Sequence, residues 1–155
     1  MSGLSWWAES PPWVHVIASD SQVTATEALP PSGAIFAARL HGQDMADADG
    51  VFTQFYESLR LPDYFGWNWD ALYDCLSDLN WIPATRYILI IEGSEHVLSA
   101  SLEERSMFFR TLLRSAESWA SRPEFPEQPK STFHVIFVCD SGARDELTRE
   151  TRELT

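Results

Sequence analysis

Apolar positions along the chain switch between a period of two and a period near 3.6. "AIFAARLHG", from Ala34, reads as a strand closed by a glycine turn, and Val51, Phe52, Phe55 and Leu59 then fall at helical spacing within Asp47 to Arg60. A second helix is predicted from Trp69 to Leu79, with Asn68 as its N-cap. "RYILIIEG" is too short an apolar run for a helix and reads as a buried strand. "SLEERSMFFRTLLRSAESWASR" places Ser101 three residues before Glu104, the spacing of a capping box, and predicts a long amphipathic helix. "PEFPEQPKS" is a proline-rich loop, "TFHVIFVCD" a last strand, and "ARDELTRETRELT" a polar terminal helix or a frayed tail. The order strand, helix, helix, strand, helix, strand predicts an α/β layer fold, a small three-stranded parallel sheet with helical crossovers.

Residues 1–33 stand apart as an N-terminal extension, leaving 34–155 as the α/β domain. The extension ends at the breaker cluster "LPPSG" and contains "WVHVIAS", a candidate additional strand. Its tryptophans, Trp6, Trp7 and Trp13, read as a lid packed on the sheet or as a second contact surface, the lid being favoured because exposed tryptophan clusters invite aggregation.

Charge narrows the function. The 155 residues carry a formal net charge of −12, which repels phosphate backbones and favours a cationic partner, so direct nucleic-acid binding is not expected. The longest apolar runs are strand-sized, far short of the ~20 residues that span a bilayer. "MSGLSWWAESPPWV" has neither a basic leader nor an apolar h-region, and a cytoplasmic location is expected. Cys75 and Cys139 are too few for a disulfide framework and read as packed, reduced thiols. His15, His41, His96 and His134 are scattered, so no metal or cofactor is expected.

The densest chemistry lies between Asp63 and Trp81, where four aspartates interleave with aromatics and no basic residue occurs from Leu61 to Thr85. On a helix, Trp69, Leu72, Leu76 and Leu79 share a sector of roughly 80°, the stripe turned to a core. Asp70, Asp74 and Asp78 fall opposite, with Tyr73 at the margin. Such a stack of like charges at i, i+4 and i+8 costs a few tenths of a kcal/mol per pair, and only Asp70 is near enough to the helix N-terminus to be favoured by the dipole. A solvated acidic face is the ordinary explanation of such a helix. The absence of basic neighbours and the flanking Tyr64, Phe65, Trp67 and Tyr73 favour a binding surface, since aromatic anchors beside a uniform charge field supply buried area and steering together.

"LRLPDYFGWNWDALYDCL" resembles the barstar family of intracellular ribonuclease inhibitors, most densely from Leu59 to Leu76. The resemblance implies a barstar-like fold and an inhibitor, not an enzyme. Its expected partner is a cationic ribonuclease or ribonuclease toxin bound 1:1. By the same resemblance Tyr64, Asp70, Tyr73 and Asp74 correspond to residues that plug the nuclease cleft, Asp74 standing where a substrate phosphate would bind. Trp67 and Asp78 complete the candidate set. The sequence departs from the family pattern at Tyr73 and at Leu79, where the family has tryptophans, and at Trp67, where it has a glutamate. A further acidic contact of the family aligns near Ser115, with Glu117 close by. Two rival readings stay open: a metal-dependent hydrolase using Asp70 and Asp74, and an acidic regulatory module whose partner is not a nuclease.

Overall fold

The computed structural model describes residues 13–19, 35–123 and 131–153. The apolar runs form a wholly parallel sheet. Strand β1 is Val14–Ala18, β2 Ile35–His41, β3 Arg86–Glu92 and β4 Thr132–Cys139, in spatial order β1-β4-β3-β2. The expected three strands are therefore the contiguous strands β2, β3 and β4 of a four-stranded sheet. "WVHVIAS" supplies the fourth, pairing Val14 with Val135 through Ala18 with Cys139 along the free edge of β4. A parallel pairing of segments so distant in sequence leaves no local signature, which is why the fourth strand was open on the sequence alone.

Helix α1 (Ala48–Ser58) and helix α2 (Trp69–Asp78) lie between β2 and β3, α3 (Leu102–Ala120) links β3 to β4, and α4 (Arg144–Glu153) closes the chain. The polar C-terminal segment is thus a helix. Its Leu147 and Thr151 are buried, and Glu150 receives Arg105 of α3 through Nε at 2.8 Å and Nη2 at 3.2 Å. Arg105 also donates to the carbonyls of Ser94, Glu95 and Val97, so its buried charge is satisfied from two sides.

The core lies between the helices and one face of the sheet. Leu40, Leu89, Ile91, Val135 and Phe137 project into it and meet Phe55, Leu72, Leu76, Phe108, Leu112 and Trp119, all buried. On the reverse face Ile88, Ile90 and Ile136 form a second cluster with Ile17, Ile35 and Val138. Trp13 is half-buried against the main core, with its ring 5.3 Å from that of His134. The lid reading of Trp6 and Trp7 falls outside the described residues.

Candidate protein-binding face

Helix α2 is fixed at both ends. Asn68 Oδ1 accepts from the backbone N–H of Ala71 at 2.8 Å, and its Nδ2 donates to the Gly66 carbonyl at 3.1 Å. At the other end Leu79 turns into the left-handed region at φ +50° and stays buried while ending the helix. Leu72, Cys75 and Leu76 face the core, and Trp69 packs on Phe52 at 4.8 Å between ring centroids. Helix α3 holds the same helix from below: Trp119 Nε1 donates to the Leu76 carbonyl at 2.8 Å, and Arg122 donates to that of Ser77 while lying over the Trp119 ring.

With that phase set, Asp70, Asp74 and Asp78 emerge as an exposed ridge. The loop before α2 flanks it on one side. Phe65 is buried and anchors the loop, while Tyr64 is 73% exposed and Trp67 45% exposed, unusual for such rings unless something covers them. Trp67 is held in place all the same, with its ring 5.3 Å from Tyr56 and 5.4 Å from Phe65, on a backbone of positive φ. Tyr64, Phe65, Ala71, Asp74, Cys75 and Asp78 line a hollow of about 160 Å³. Tyr64, Asp74 and Asp78 are therefore brought together. Asp70 lies further along the ridge, and Tyr73 lies on the opposite flank, where the guanidinium of Arg114 sits 4.4 Å from its ring centroid.

The α3 flank was not legible in the α2 segment. Arg114 and Arg122 lie some forty residues away in sequence; burial lowers the Arg122 pKa, and the nearby Asp78 carboxylate opposes part of that lowering. The family's additional acidic contact has no counterpart where the sequence placed it. Ser115 is fully buried and donates to the Thr111 carbonyl at 2.8 Å. Glu117 is exposed and lines a cavity of about 620 Å³ together with Trp13, Val14 and Arg144. The inward phase of α3, set by Phe108, Leu112 and Trp119, is the signal that could have excluded Ser115.

Burial, reinforced by Asp74 and Asp78, raises the Cys75 pKa, so its thiol stays protonated and is no nucleophile. Among the described residues no group of three His, Cys, Asp or Glu side chains is placed to hold a metal ion, and no helix is long and apolar enough to cross a membrane.

A family model described as "Barstar (barnase inhibitor)" matches residues 35–138, more than half of the chain. A Bacillus subtilis (strain 168) protein named "Putative ribonuclease inhibitor YrdF" is 29% identical over 65 residues, which cover 42% of this chain and 71% of the relative.

Proposed function

This chain belongs to the Barstar family, and we propose that it inhibits a cationic ribonuclease by laying the acidic ridge of α2 across the nuclease's catalytic cleft. One observation carries the reading. Three carboxylates stand on a helix clamped by its cap, its core face and Trp119, beside the exposed rings of Tyr64 and Trp67, the latter held by Tyr56 and Phe65. A ribonuclease cleft neutralises phosphate with arginine and lysine, and carboxylates spaced along a rigid helix meet those cations without first being ordered. Asp74 is central, because it lines the hollow shared with Tyr64 and Asp78, which has room for the head of one long basic side chain. Tyr64 and Trp67 would close over the rim and exclude water, strengthening each charge pair. The protein contributes no catalytic group; it occupies the cleft, in the cytoplasm, as one copy per nuclease.

The test is a titration of RNA hydrolysis by barnase, and by a panel of other cationic microbial ribonucleases, with the unaltered protein and with Asp74→Ala. Activity should fall to zero at one equivalent. In the free protein Asp74→Ala should leave the thermal midpoint unchanged or slightly raised, because it relieves repulsion with Asp70 and Asp78. In the complex it should cost about 2–5 kcal/mol, mostly in the off-rate, since nuclease cations lose their partner. Asp78→Ala should cost less, because Arg122 already acts on that carboxylate. If Asp74→Ala weakened the fold and left binding untouched, the ridge would be structural and the inhibitor reading would fall.

A further inference from the structure

We propose that Arg114 is a specificity-determining residue of this face, selecting a ribonuclease that carries a carboxylate beside its cationic cleft. The inference rests on the inhibitor reading above and names the chemistry of the partner more closely. Arg114 is exposed on α3, with its guanidinium held 4.4 Å from the centre of the Tyr73 ring. Tyr73 adjoins Asp74 and stands one turn from Asp70, so the contact plants a cation at the border of the acidic ridge. A guanidinium lying on an aromatic face gives up part of its rotamer freedom before any partner arrives, and its planar fork of donors matches a carboxylate.

Two further observations separate Arg114 from an ordinary solvated cation. Among the described residues it forms no hydrogen bond or ion pair with a protein acceptor, unlike Arg105 on Glu150 or Arg122 on Ser77. Arg110, also exposed, lies one helical turn before it on the same face of α3. The surface is consequently of mixed sign, an acidic strip on α2 alongside the Arg110 and Arg114 cations of α3, with Glu117 one turn beyond Arg114. A nuclease whose cationic surface continued past the cleft would meet Arg114 with like charge, whereas one that changes sign there would gain a pair. The acidic ridge supplies attraction to the whole class of ribonucleases; the arginine discriminates within it.

The experiment measures association and dissociation rates at low and high salt, against the ribonuclease that the unaltered protein inhibits, barnase being tried first. The variants are Arg114→Ala, Arg114→Lys, Arg114→Glu and, as control, Asp74→Ala, each with its thermal midpoint. Arg114→Ala should weaken binding about tenfold and Arg114→Glu about a hundredfold, with the gap narrowing at high salt. Arg114→Lys should recover only part of the loss, because it keeps the charge without the planar fork. Midpoints should stay close to the unaltered protein, a result that a purely structural role on Tyr73 would not give. If Arg114→Glu loses the fold, Arg114→Ala and Arg114→Lys decide. Binding within about twofold for Arg114→Ala, or tighter binding, while Asp74→Ala still speeds dissociation as expected above, would overturn the role of Arg114 and leave the inhibitor reading standing. If Asp74→Ala also bound normally, or if no ribonuclease were inhibited, the inhibitor reading itself would fail and the selectivity with it.

Discussion

Inside the sheet, two histidines share one environment. His134 is fully buried on β4, and the ring of His15 on β1 stacks beside it at 5.6 Å between centroids. Burial, and then the neighbouring imidazole, lowers the His15 pKa from 6.5 to about 4. The folded protein therefore resists a proton that the unfolded chain accepts near 6.5. The linked stability is whole above that pH and is lost as the pH falls toward 4. Because the ring is only half-buried, solvent screening reduces the effect to about 1 kcal/mol. Urea unfolding at pH 7 and pH 4.5 should show His15→Asn losing less stability between the two than the unaltered protein does, and an equal loss would mean that His15 does not titrate on unfolding. At this scale the sequence separated the α2 residues well, since a regular helix fixes which side Leu72 and Asp74 take. It could not place Arg114, because only the packing of α3 against α2 brings that side chain to Tyr73.

Elements meet most tightly where β2 and β3 end. A Cβ on Gly42 would lie 2.1 Å from the Gly93 carbonyl oxygen, and Gly93 itself turns at φ +62°. Gly42→Ala would push apart the short turns Gly42–Asp44 and Ser94–His96 that follow the two strands. We expect a loss of about 1–3 kcal/mol, read as a lower urea midpoint. Gly142→Ala is the control, since nothing lies within 4 Å of the added atom, and should stay within about 0.5 kcal/mol. Equal effects at the two sites would refute the close approach. Elements with one dominant period were legible to within a residue or two: α1, α2, α3, β3 and β4 all stand where their apolar spacing put them. The turns were less so. Leu79 and Trp67 adopt positive φ although neither is itself glycine or asparagine, and burial of the one and ring packing of the other offset the strain.

At the scale of the whole molecule, β1 pairs with β4 at one edge of the sheet and lines a cavity with Leu113, Ala116 and Glu117 of α3, while none of its residues lines the hollow beside Asp74 and Asp78 on α2. Deleting residues 1–19 should therefore cost stability and spare function. Five cross-strand pairs are lost, each contributing about 0.2–1 kcal/mol, so a decrease of about 1–5 kcal/mol is expected, with some self-association through the bared edge of β4. Below its own melting temperature the truncated protein should still titrate the ribonuclease one to one. A folded but inactive product would show that the extension takes part in binding. The same pairing has a consequence during synthesis. Val14 leaves the ribosome 121 residues ahead of its partner Val135 (135 − 14). At about 5–20 residues per second, the first strand waits about 6–24 s for its place to exist. Strands β2, β3 and β4 can assemble in order of appearance, whereas β1 must wait for β4 to dock, so a cell making this protein holds each nascent chain for seconds with that strand unpaired.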